Sequence, residues 1–228
     1  MNLLALDTSS IACSVALRVE GDVFERHAVL PREHTRLLIP MIEEVLNEAG
    51  TNLRELDAVI LGNGPGSFIG LRIAASVAQG LCYGAGLKMV PISSLAAVAN
   101  ESLQVSSADQ VVVAEDAHMN EVYLACFRRG GDGLPLPEMD AFLQPIERIE
   151  PLATRQDAGP SRWHAAGAGW QRYPELLAKN EDLLAGVIDV SVPRARYLLE
   201  LGHRSFLEGR AIDPEALVPA YVRTQVAA

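Results

Sequence analysis

The sequence predicts an α/β protein of two lobes, each a βββαβα-type half descended from one duplicated unit. Three observations carry that prediction. Short apolar runs of strand length alternate along the chain with longer stretches of helical period. Two of those runs end in an acid, turn, and continue as a second strand. Laid one over the other, LLALDTSSIACSVAL (3–17) and VVAEDAHMNEVYLAC (112–126) put Asp7 on Asp116 and Val15 on Leu124. Finally, 228 residues with 49% apolar and 21% charged side chains suffice for one large or two small hydrophobic cores. The expected lobes are residues 1–106 and 107–228.

Each element has its own local warrant. LLALD is a continuous apolar run, as in a strand buried on both faces. CSVALRV alternates Cys13, Val15, Leu17 and Val19 with Ser14, Ala16 and Arg18, the pattern of a half-buried strand, and DVFERHAVL returns as a third. In REHTRLLIPMIEEVLNEAG, residues Leu37, Leu38, Met41, Ile42, Val45, Leu46 and Ala49 share a helical stripe that Gly50 stops. Pro40 should kink that helix or mark an inner start. LDAVILG is a buried strand, followed by a glycine-rich loop, a helix, the strand KMVPI and the helix SSLAAVANESL. The second series opens with VVVAEDAHMNEVYLACF as strand, turn and strand. RRGGDGLPLPE (128–138) and TRQDAGPSR (154–162) read as turn-rich connectors. A short helix near 171–179, a strand near 186–190 and an amphipathic helix bearing Ala195, Leu198, Leu199, Gly202 and Phe206 follow. The tail DPEALVPAYVR, with two prolines, should run extended along the surface.

Composition excludes several classes. Cys13, Cys82 and Cys126 are far apart and form no Cys-x-x-Cys pair, so neither a zinc knuckle nor a redox motif is expected. Thiols on apolar segments fit a reducing, cytoplasmic setting. The first ten residues lack a basic segment, and Asp7 breaks their apolar stretch, unlike a signal peptide. Apolar runs such as Val111–Ala114 are far shorter than the roughly 20 residues that span a bilayer. A net charge of −10 disfavours unaided nucleic-acid binding.

Candidate sites cluster in the first half. Gly64-Pro65-Gly66-Ser67 opens into a helix, an arrangement that suits an anion at a helix N-terminus. Neither the G-x-x-x-x-G-K-[ST] nor the G-x-G-x-x-G spacing is present, so a tight turn capped by Ser67 competes with phosphate contact. Asp7, Thr8 and Ser9 form a turn without glycine, suited to capping or to metal contact. His34 has Leu38 rather than a second histidine at i+4, which rules out an H-E-x-x-H zinc site. Asp116, His118 and Glu121 are chemically able to ligate a metal, but a hairpin tip rich in polar residues needs no metal to explain it. Neither Ser9 nor Ser67 has an identifiable base. In the helix GLRIAASVAQGLCYGAG, Leu71, Ala75, Ala78 and Cys82 form a small-residue face, suited to close packing within its own domain or against another subunit.

LLALDTS, LPREHTRLLIPMIEEVL, GPGSFIGLRIAASVAQGL, VPISSLAAVA and DAHMNEVY resemble the bacterial TsaB (YeaZ) family, from residue 2 to about 127 and again at PAYVR. Ile69 and Ala74 stand where that family usually has threonine and glycine. The resemblance implies an actin-like ATPase fold (the Hsp70/actin class), with lobes around a nucleotide, and kinship with TsaD. TsaD transfers a threonylcarbamoyl group to the adenosine beside the anticodon of tRNAs reading ANN codons, together with TsaB and the ATPase TsaE. Where TsaD has two metal-binding histidines, this chain has Ser94 and Val98, and valine cannot ligate a metal. The resemblance therefore implies a non-catalytic subunit without a metal. Its relic nucleotide frame would be Asp7, Thr8, Ser9, Gly64, Gly66 and Ser67, binding ATP or ADP weakly and more so in the complex. TsaD would be its heterodimer partner, with TsaE in the complex, tRNA reached only through it, and a homodimer formed alone. The expected interface is the helix pair 33–49 and 68–84, through His34, Leu38, Met41, Leu71, Ala75, Ala78 and Cys82. The competing expectation is an autonomous actin-like ATPase, kinase or metallopeptidase-like enzyme.

Overall fold

The computed structural model describes residues 1–149, 163–220 and 222. Two compact units emerge, one from Met1–Ala97 with Val192–Ala220 and the other from Val98–Ser191. In the first unit, β1 (Leu3–Asp7), β2 (Ala12–Val19), β3 (Asp22–Val29), β4 (Ala58–Gly62) and β5 (Lys88–Ile92) form one sheet, ordered β3-β2-β1-β4-β5. β1 runs antiparallel to β2 and parallel to β4. One face of the sheet is covered by α1 (His34–Glu48) and α2 (Phe68–Ala85). There Leu4, Leu6, Val15 and Val59 join Leu38, Met41, Val45, Ala74, Ala78 and Cys82 in a single cluster. α1 runs through Pro40 without an inner start.

The second unit repeats the plan. Its strands β6 (Gln110–Asp116), β7 (Glu121–Arg129), β8 (Pro135–Pro145), β9 (Trp163–Ala166) and β10 (Leu184–Val187) are ordered β10-β9-β6-β7-β8. Counted from the first strand of each half, the two orders are identical. β6 likewise runs antiparallel to β7 and parallel to β9. Val112, Ala114, Leu124 and Cys126 pack with Trp163, Trp170 and Leu176. Trp170 and Leu176 come from the short helices α4 (Ala168–Arg172) and α5 (Pro174–Lys179). α3 (Ser94–Val105) bridges the chain from one unit to the other. Arg129 closes its C-terminal end, donating to the carbonyls of Leu103 (2.7 Å), Ser106 (3.1 Å) and Ala108 (2.7 Å).

The structure corrects several expectations. The boundary does not leave 107–228 in one lobe: the amphipathic helix α6 (Arg196–Leu207) returns to the first unit. β1 and β4 are apolar on both faces, and Ala195, Leu198 and Leu199 cover Leu3, Ala5, Ala58 and Ile60 on the face that α1 and α2 leave open. With α6 on one face and α1 and α2 on the other, every residue of β2 from Ala12 to Leu17 is buried, so that strand is not half exposed. Residues 128–138 are not all connector: the turn is confined to 130–134, and β8 takes up Pro135 and Pro137. β8 lies at the edge of its sheet, where a missing N–H costs no ladder bond. The helix near 171–179 is two helices broken at Pro174, and the strand near 186–190 is Leu184–Val187. The tail turns once as a 3-10 helix at Pro214–Ala216. The connector 154–162, with Tyr221 and Arg223 of PAYVR, lies outside the described residues.

Candidate functional site

The site is built where β1 and β4 end side by side. Asp7, 1% exposed, terminates β1. Its Oδ1 accepts from the Ser9 backbone N–H (2.8 Å) and the Ser9 hydroxyl (2.7 Å). Its Oδ2 accepts from the Ser94 hydroxyl at 2.7 Å. Ser94 Oγ in turn accepts the Gly64 N–H at 3.0 Å, so β1, the glycine loop and the start of α3 share one hydrogen-bonded chain. Burial raises the Asp7 pKa, against the opposing effects of the Ser94 and Ser9 hydrogen bonds and the charge of His34. His34 is buried and its Nε2 lies 2.9 Å from the Ser10 carbonyl, which anchors the start of α1 to this turn.

The glycine loop closes on the same turn. The Ser67 N–H donates to Ser9 O at 2.6 Å, and Thr8 Oγ1 donates to Gly70 O at 2.7 Å. A side chain at Gly66 would collide with the Ser9 carbonyl, and one at Gly70 with the Thr8 carbonyl. Ser67 Oγ caps α2, accepting the Gly70 N–H at 3.2 Å. The N–H of Ser67, which an anion would need, is thus already used by the chain. Asp7, Thr8, Ser9, Gly64, Gly66 and Ser67 are brought together as the sequence predicts, but against one another.

A metal at the TsaD-like position finds no ligand set here. Ser94 is committed to Asp7 and Gly64, and Val98 is aliphatic and fully buried. Among the described residues, no group of three His, Cys, Asp or Glu side chains is placed to hold an ion. Burial pushes the Cys13 thiol up to about 11 and Cys82 to about 12, far from thiolate chemistry.

The proposed contact face on the two helices is a correction. His34, Leu38, Met41, Leu71, Ala75, Ala78 and Cys82 are all buried within the first unit. The small size of Ala75, Ala78 and Cys82 serves close approach of α2 to its own sheet. The outward face carries Ile39, Phe68, Ile69 and Tyr83, with Ile69 70% exposed, and Arg72 stacks on Phe68 with its guanidinium carbon 3.5 Å from the ring centroid. Between the helices lies an apolar groove of about 340 Å³, lined by Ile39, Ile42, Leu46, Leu53, Val77 and Leu81 among others. The signal for it was present in the sequence: Ile39, Val77 and Leu81 are apolar positions left over once the core stripe is filled. α2 is also the one helix among the described residues long and apolar enough to cross a membrane; its inner face belongs to the core described above.

Duplicated five-stranded units with an acid at each hairpin tip define the class: this is an actin-like ATPase fold. A family model described as "TsaD: tRNA N6-adenosine threonylcarbamoyltransferase" matches residues 27–184. The chain is 37% identical to the tRNA threonylcarbamoyladenosine biosynthesis protein TsaB of Escherichia coli strain K12, over 100% of this chain and 96% of that one. A structure described as YeaZ from Pseudomonas aeruginosa superposes with a TM-score of 0.85 at 35% identity, covering 96% of this chain and 99% of its own. Another, of a Pseudomonas aeruginosa protein described as uncharacterized with similarity to peptidase YEAZ, gives 0.88 at 36% identity, covering 97% and 99%. The chain belongs to the TsaB (YeaZ) family.

Proposed function

We propose that this chain acts in tRNA threonylcarbamoyladenosine biosynthesis as a non-catalytic subunit that binds and activates a TsaD-type paralogue. One observation carries the reading: the loops that an actin-like ATPase opens around phosphate are here joined to each other. Ser67 to Ser9, Thr8 to Gly70 and Ser94 to Asp7 consume the donors and the carboxylate that ATP and its metal would use. What remains of the frame is mechanical. It sets the N-terminus of α2, and with it the groove beside α1. A paralogue of the same fold carries helices of the same kind, so α1 and α2 can pair with their counterparts, or with a second copy of this chain when the paralogue is absent. The acidic chain leaves tRNA contact to the complex, with TsaE as its ATPase, in the cytoplasm; ATP or ADP binds the lone chain weakly. No observation favours an autonomous kinase or peptidase.

The test uses the outer face. Ser76→Arg and Ile39→Arg each put a charge into the apolar groove from an exposed position, without entering the core. The variants are expected to stay folded, to lose self-association and co-purification with the TsaD paralogue, and to lose tRNA modification in a reconstituted assay. Folded variants that still bind and support modification would overturn the reading. Ala78→Arg, by contrast, is expected to unfold the first unit.

A further inference from the structure

The stretch LGNGP (61–65) holds the one Asn-Gly pair of the sequence: of seven asparagines, only Asn63 precedes a glycine. Asparagine is thermolabile, and that pair is its most reactive setting. With no side chain on the following residue, the backbone nitrogen of that residue reaches the asparagine Cγ unhindered. The nitrogen–Cγ bond forms, the Cγ–Nδ2 bond breaks, and ammonia leaves with the proton that the backbone nitrogen gives up. Water then opens the cyclic imide at either carbonyl, leaving aspartate or isoaspartate. The reaction needs only water and a mobile backbone.

The fold requires both members of the pair. Gly64 has a φ of 76°, and a Cβ there would meet the Leu71 methyl carbons at 3.0 and 3.1 Å. Asn63 Nδ2 donates to the Val218 carbonyl at 3.1 Å, which ties the C-terminal tail to the end of β4. An aspartate carboxylate has no proton to offer that carbonyl.

The surrounding contacts oppose the reaction at each group that would have to move. The attacking Gly64 N–H is buried and donates to Ser94 Oγ at 3.0 Å. Gly64 O accepts the Ser94 N–H at 2.9 Å, so one serine grips both backbone groups of that glycine. Asn63 N–H donates to Ile92 O at 2.7 Å, and the departing amide is held by Val218. Asn63 itself is only half-buried.

We propose that Asn63 is a deamidation site kept latent by the closed glycine loop, with Ser94 as its guard. Opening of the Gly64–Ser94 clasp frees the nitrogen to swing onto Cγ. The product replaces the donor to Val218 by a carboxylate and, as isoaspartate, lengthens the backbone by a methylene where β4 enters the loop. The state of residue 63 thus records whether the clasp has opened. Every contact invoked lies in the first unit, and none depends on the subunit reading.

The experiment incubates the full-length protein at mildly alkaline pH and follows residue 63 by peptide mass spectrometry, with the other asparagines as internal controls. In guanidinium-unfolded chain Asn63 should deamidate fastest of the seven. In the folded protein its rate should be on the order of 100-fold lower, the effect of three ordinary hydrogen bonds. Ser94→Ala keeps the backbone bonds but loses the hydroxyl, and should speed the folded-state reaction about fivefold at Asn63 alone. Equal rates in folded and unfolded chain, or a Ser94→Ala rate equal to the parent's, would overturn the proposal. So would an acceleration shared by all the asparagines, which marks general loosening. Should Ser94→Ala fail to fold, hydrogen exchange on the parent protein decides: the Gly64 amide is expected to exchange slowly, and fast exchange there would refute the guard. Asn63→Asp, the product itself, should abolish the mass change and shift the Val218 amide signal; an unmoved signal would show that the amide does not tie down the tail.

Discussion

The turns after Asp7 and Asp116 begin with the same device and finish as opposites. In each, the first strand ends in an aspartate whose Oδ1 accepts the N–H two residues on, at 2.8 Å in both. After that step the neighbours decide. Around Asp7 stand Ser9, Ser94 and two glycines that admit the second loop, so the carboxylate is sealed and the donors of Thr8, Ser9, Ser67 and Ser94 are spent on the chain. Around Asp116 stands Tyr173, which braces the turn from one side and leaves Met119 66% exposed at its tip. A duplicated frame has become a structural clasp in one half and a displayed turn in the other. The lesson is that an inherited local motif records descent, while its use depends on whether the packing around it is closed.

The contrast can be broken most severely at Gly70. Its substitution by valine drives a side chain into the Thr8 carbonyl and should cost about 3 kcal/mol or more, read as a large drop in melting temperature. Gly80, nearly three turns further on, has nothing within 4 Å, and there alanine should stabilise α2 by about 0.5–1 kcal/mol. If Gly70→Val melts like the parent protein, the loops are not clasped.

A smaller effect separates the two aspartates. Asp7→Ala strands the Ser9 and Ser94 donors in a buried site and should destabilise by about 2–3 kcal/mol, whereas Asp116→Ala, at a more open tip, should cost about 1 kcal/mol. Urea denaturation of both variants checks the order, and equal losses would mean that the first turn is no more closed than the second.

The pH dependence sharpens the same point. Burial raises the folded-state pKa of Asp7 above its unfolded value, so the folded protein binds that proton more tightly. The stability it contributes is full below the unfolded value of about 3.9 and is lost as pH rises through the folded value. Relative to Asp7→Asn, the parent protein should therefore lose stability on going from acid toward neutral pH. Parallel stability curves for the two proteins over that range would show that the carboxylate is not sealed.

The smallest expected change is a gain. Asn120→Gly relieves one left-handed residue and should stabilise by about 0.5 kcal/mol, while no comparable gain is available in the Asp7 turn, where no residue has positive φ. Thermal melts at matched pH resolve a shift of that size.

The strands β1, β4 and β6, the Ser67 cap, the acid at each hairpin tip and the duplication were legible in the sequence by itself. Each rests on residues near one another in the chain, where apolar period and turn chemistry act directly. The tertiary structure alone decided three other matters. It sent α6 back to the first sheet, because an apolar face on β1 and β4 requires a cover but does not name it. It turned Ala75, Ala78 and Cys82 inward, because small residues permit close approach to a sheet as readily as to a partner. And it closed the Asp7 turn and the glycine loop on each other through contacts such as Asp7 with Ser94 and Thr8 with Gly70, 87 and 62 residues apart in sequence. Periodicity shows which residues seek burial; which surfaces meet depends on the whole chain packing at once.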